Sequence, residues 1–179
     1  MNNLPMENHN YYILTQDFMY MSGYHDRNGR PCSLVKELGR TLIVEKSPIE
    51  ILDESIKCIG FNLKGALSSS KWILGDCHMR PLMVNPAHKL CVFPDKSPNS
   101  PNATWFNPYH IMRTSSINGG TKIEFRNGLL LKIPSRLTNF NHKLQTAEQF
   151  RNLTTEIASN PMSFVLDPRK RRLQIGNRI

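Results

Sequence analysis

Cys77, His78, His88 and Cys91 fall within fifteen residues, in the stretch CHMRPLMVNPAHKLCVFP over 77–94. Two thiols and two imidazoles are the donor set of a tetrahedral zinc site, which needs all four atoms at about 2.0–2.3 Å from one metal. The spacing argues against convergence. Adjacent Cys77 and His78 point to opposite faces of an extended segment. Cys91 sits in the apolar run Leu90-Cys91-Val92-Phe93, where a reduced cysteine serves as a small buried hydrophobe. The chain has no Cys-x-x-Cys pair. The stretch is therefore expected to be a strand, an Asn85-Pro86 turn and a strand, holding neither metal nor any other cofactor.

Catalysis finds as little support. The serines Ser68, Ser69 and Ser70 are not framed by a nucleophile elbow, and neither phosphate-cradling glycine motif is present. The six histidines, at 9, 25, 78, 88, 110 and 142, are scattered. No catalytic residue and no enzyme are expected.

What remains is the chemistry of charge. The 179 residues carry 23 Lys/Arg against 14 Asp/Glu, a formal net charge of +9, which favours polyanionic partners and nucleic acid first among them. The excess is uneven. Residues 132–179 hold nine Lys/Arg against Glu148, Glu156 and Asp167, a net of +6. Arg113, Lys122, Arg126, Lys132, Arg136 and Lys143 lie along or beside an expected hairpin and the start of a long helix. On the TKIEF strand, Lys122, Glu124 and Arg126 share one face and Ile123 and Phe125 the other. Asn127-Gly128, beside Arg126 at the hairpin tip, has the placement of a β-ribbon entering a groove. Arg169, Lys170, Arg171 and Arg172 are candidate phosphate contacts or a plain solubilising tail. Trp105, Phe106 and Tyr109 either stack on the bases of a single strand or RNA, or anchor the core.

The elements that must position these residues are mostly β. YYILTQDFMYM (11–21) reads as a strand, with an Asn28-Gly29 turn after it. CSLVKEL and RTLIVEK continue the pattern around Gly39. Ser47-Pro48-Ile49-Glu50 is a capping box with proline at the first helical position, opening a short helix that closes near Gly60. FNLKGALSSSKWILGD fits either a weak helix or a loop. Strands PLMV, KLCVF, TKIEF and LLLKI follow, with turns at Asn118-Gly119-Gly120 and Arg126-Asn127-Gly128. Phe140, Leu144, Ala147, Phe150, Leu153 and Ile157 then recur at helical spacing. The expected class is α+β: a mainly antiparallel β domain with a short helix in its N-terminal half and a longer C-terminal helix. The expected division is one nucleic-acid-binding domain over 1–160 and a basic tail over 161–179. No apolar run reaches eighteen residues, so no spanning helix and no membrane partner are expected. A cytoplasmic chain keeps Cys32, Cys58, Cys77 and Cys91 as thiols.

Two stretches, PIEILDESIKCIGFNLKGALSSSKWIL and RPLMVNPAHKLCVFPDKSPNSPNATWFNPYHI, together with IEFRNGLLLKIP, resemble the ComK family, competence transcription factors of Bacillus-like bacteria. The similar features are the Pro48-led helix with Asp53 and Gly60, the strand Pro81 to Val84, and Asn85-Pro86. Val92-Phe93-Pro94, a Ser/Pro loop, Trp105, His110 and the later strand, Asn-Gly turn and strand complete them. The likeness spans about residues 40 to 150. It implies an activator on double-stranded DNA that recognises paired AT-rich boxes largely through the minor groove. It also implies dimers assembling into a tetramer, contact with RNA polymerase, control by an adaptor for a Clp protease, and a place in the bacterial cytoplasm at the nucleoid. The end RKRRLQIGNRI does not resemble the family. Contact residues are assigned by charge and turn position alone.

Overall fold

The structure, a computed structural model, describes residues 7–161. Arg169, Lys170, Arg171 and Arg172, and the expected 161–179 tail apart from Pro161, lie outside them. Ten strands and three helices follow in order: β1 (Glu7–His9), β2 (Phe18–His25), β3 (Pro31–Glu37), β4 (Thr41–Val44), α1 (Pro48–Cys58), α2 (Leu63–Leu74), β5 (Leu82–Asn85), β6 (Leu90–Pro94), β7 (Thr104–Phe106), β8 (Ile111–Ile117), β9 (Gly120–Phe125), β10 (Leu130–Ile133) and α3 (Leu137–Ser159). The class is α+β with mainly antiparallel sheets and a long C-terminal helix.

Seven strands form the main sheet in the order β1-β4-β3-β2-β7-β6-β5, and β10-β9-β8 form a second. The pairing of β1 with β4 is parallel; the other pairs are antiparallel. The aromatic run from Tyr11 does not begin a strand: β2 starts at Phe18 and continues through Gly23 to His25. The reason is packing. Tyr12 and Leu14 already insert into the core, with the Tyr12 hydroxyl donating to Glu37 at 2.8 Å and the Leu14 amide to Ser55 at 3.0 Å.

Alternation sorts the central strands onto two cores. Leu90, Val92 and Trp105 face one side, under α1 with Ile51, Leu52 and Ile56. Phe93 and Phe106 face the other, where Ile111, Ile123, Phe125 and Ile133 of the small sheet and Phe140 and Ala147 of α3 complete a second cluster. Cys91 and Phe150 join Ile73 in a third. Every residue of β6 is thus buried, as a strand covered on both faces must be.

The stretch 61–76, ambiguous in sequence, holds α2. The Asn62 side chain accepts from the Gly65 amide at 2.7 Å, and the Ser70 hydroxyl donates to the Pro81 carbonyl at 2.6 Å. Capping and tertiary bonding override the weak helix propensity of Gly65 and three consecutive serines.

Candidate nucleic-acid interface

The small sheet carries one apolar face and one polar face. Thr121, Ile123 and Phe125 are buried, while Lys122 and Glu124 between them are half exposed. Lys122 pairs directly with Lys132 on β10 and with Ser115 on β8; Glu124 pairs with Leu130 and Arg113. Directly paired residues share a face, so Arg113, Lys122 and Lys132 lie together on the solvent side. Arg113 donates to the Glu124 carboxylate across the strands. Among the described residues, Lys122 and Lys132 make no ion pair. The register shift between Ile111 and Arg113 adds Met112 as an extra residue, 60% exposed beside them. Such a bulge is a recurrent means of re-aiming side chains at functional edges.

Close backbone packing holds this sheet in place. A Cβ on Gly120 would stand 2.1 Å from the Ile133 carbonyl oxygen, so only glycine allows β10 to approach there. The Thr121 hydroxyl donates to the Ser135 carbonyl at 2.7 Å, and Arg136 follows as the exposed N-cap residue of α3, making no side-chain cap bond. At the other end Arg126-Asn127-Gly128 closes the hairpin, with Gly128 at φ +85°. Asn127 is exposed at the tip and is also tied locally. Its Oδ1 accepts from the Leu129 amide at 3.1 Å and its amide contacts Met19 Sδ at 3.5 Å.

Lys143 stands apart from the group. Its ammonium donates to the Asp95 carbonyl, and burial pushes it below the ordinary lysine range, partly opposed by the Asp95 charge. The Arg126 guanidinium Nε donates to the Tyr109 carbonyl at 2.6 Å and its Cζ lies 5.5 Å from the Tyr109 ring centroid. Arg151 of α3, outside the sequence-based candidates, lies 5.4 Å from the same centroid. Helical periodicity marked the apolar stripe of α3 and gave no sign of what its flank meets.

The aromatic candidates separate. Trp105 and Phe106 are 0% exposed, whereas Tyr109 is 54% exposed. The first two are core, and only Tyr109 has a face to offer. The thiols and imidazoles separate too. Cys91 is buried against the Ala147 carbonyl and burial pushes its thiol far above the ordinary range. Cys77 is half buried, and His78 and His88 are exposed. Among the described residues no group of three or more His, Cys, Asp or Glu stands close enough to hold a metal ion. Nor is any described helix long and apolar enough to cross a membrane.

Residues 9–158 match the family described as ComK protein. The chain is also similar to a competence transcription factor of Bacillus subtilis (strain 168), 23% identical over 153 residues that cover 83% of this chain and 80% of that protein. No solved structure matches it.

Proposed function

The chain belongs to the ComK protein family, and from that premise we propose that it regulates competence transcription by binding double-stranded DNA through the solvent face of β8, β9 and β10. The observation that carries the interface is the Lys122–Lys132 pair. Like charges directly opposite on a strand face repel, and neither has a carboxylate partner among the described residues. A phosphate backbone supplies the missing charge. Arg113 is 73% exposed and shares Glu124 with solvent, so it can exchange that carboxylate for phosphate at little cost. Arg136 extends the positive strip, and Arg169, Lys170, Arg171 and Arg172 add charge from the C-terminal segment.

The groove is the minor groove of AT-rich boxes. Such tracts are narrow and strongly negative, and inserted Arg or Lys side chains read them without a base-by-base code. Boxes repeated on one face of the helix suit a dimer and a tetramer of two dimers. The further steps are contact with RNA polymerase and turnover through an adaptor of a Clp protease, in the cytoplasm. A minor-groove ligand is expected to displace the protein from an AT-rich paired-box duplex, and a major-groove ligand is not; the reverse pattern in a competition assay rejects this mode. Preference for single strands over duplex would instead favour stacking on Tyr109, the exposed member of the aromatic group.

A further inference from the structure

The ring of Tyr109 lies against two guanidinium groups from different elements. Arg126 arrives from the β9–β10 tip, 5.5 Å from the ring centroid, and Arg151 from α3, 5.4 Å from it. The two cations therefore stand no further apart than the sum of those distances. Neither makes an ion pair with a carboxylate among the described residues. Two arginines on one ring with no carboxylate partner leave a local excess of positive charge in the free protein, which the negative face of the aromatic ring offsets only in part. The ring is 54% exposed, so an anion has access from solvent. Planar guanidinium forks match phosphate oxygens better than any other side chain does.

We propose that Arg126, Tyr109 and Arg151 form a second phosphate-binding site, gripping backbone phosphates of the same duplex outside the segment that meets the sheet. This rests on the reading of the small sheet as the DNA interface. Strand rise sets the geometry: β9 runs three residues on from Lys122 to Phe125, roughly 10 Å at about 3.3 Å per residue, and Arg126 opens the turn beyond it. That distance exceeds the roughly 6 Å width of a minor groove. Cations in the groove at Lys122 and Lys132 thus leave the tip cluster over flanking backbone. Arg126 and Arg151 are the contacts. Tyr109 is a positioning residue: its ring and its carbonyl orient the guanidiniums, and its hydroxyl is not needed.

The test is the salt dependence of binding of the full chain to an AT-rich duplex, measured by fluorescence anisotropy. Each phosphate released lowers the log–log slope by about 0.9, so Arg126→Ala with Arg151→Ala is expected to reduce its magnitude by about 1.8. Tyr109→Phe is expected to keep the wild-type slope, and Tyr109→Leu to lose part of it. A double alanine variant with the wild-type slope overturns the site; if Lys122→Ala with Lys132→Ala still weakens binding, the sheet reading stands. A wild-type chain that does not bind duplex overturns both. If the alanine variants do not fold, Arg126→Lys with Arg151→Lys decides. Charge is kept and the fork lost, so affinity is expected to fall about tenfold at an unchanged slope, and unchanged affinity rejects the site.

Discussion

Trp105 lies wholly inside the core, and its indole N–H finds no acceptor among the described residues. An unpaired buried donor costs about 1–3 kcal/mol, which the burial of so large a ring outweighs. Trp105→Ala is expected to destabilise the protein by about 3–5 kcal/mol in urea unfolding. Trp105→Phe, which removes the orphan donor and keeps most of the apolar volume, should cost far less and leave duplex affinity unchanged. A Trp105→Phe variant that folds but has lost binding would contradict a core role. The same logic of single residues explains what is legible in the sequence. Strand alternation placed Cys91 in the core because its neighbours Leu90, Val92 and Phe93 leave it nowhere else to go. The Trp105–Tyr109 group stayed divided until three dimensions separated 0% from 54% exposure. The contact of Arg151 with Tyr109 is not legible in the sequence, because it spans a long separation that no local spacing encodes.

At the scale of elements, ends are better specified than middles. The Ser47 hydroxyl accepts from the Glu50 amide at 3.4 Å, and the Glu50 carboxylate accepts from the Ser47 amide at 2.8 Å and its hydroxyl at 2.7 Å. These bonds to Ser47 hold the Glu50 carboxyl below the ordinary carboxylate range. Ser47→Ala is expected to cost about 1 kcal/mol. The sign of its pH dependence follows. A carboxyl whose folded value is depressed contributes stability above its ordinary value, 4.5, and loses it as pH falls through the folded value. The gap between wild type and Ser47→Ala should therefore narrow in acid, and a gap constant down to the acid limit would remove Glu50 from the account. This motif was legible because its chemistry is local. The helix α2 was not, because Gly65 and Ser68 to Ser70 resist helix and depend on the bond from Ser70 to Pro81. The three-residue β1 was not either, since its parallel partner β4 lies more than thirty residues away.

At the scale of the molecule, the net charge of +9 becomes a statement about surface only once the strands are paired. The sequence placed Lys122 and Lys132 on the same hairpin; the register sets them directly opposite. A positive charge kept merely for solubility would be spread to avoid such a pair. A charge kept for a polyanion can tolerate the repulsion, because the ligand cancels it on binding. The two explanations predict different signs. If the pair serves DNA, Lys122→Gln should stabilise the free protein, by about 0.2–1 kcal/mol as the cross-strand repulsion is relieved, while weakening duplex binding and reducing the salt slope by about 0.9. Thermal unfolding and anisotropy titrations on one preparation measure both. Opposite movement of stability and affinity identifies a surface whose arrangement is strained for its ligand. A variant that is more stable and binds as well as the wild type would instead make the pair an ordinary solvated feature and move the interface elsewhere on the protein.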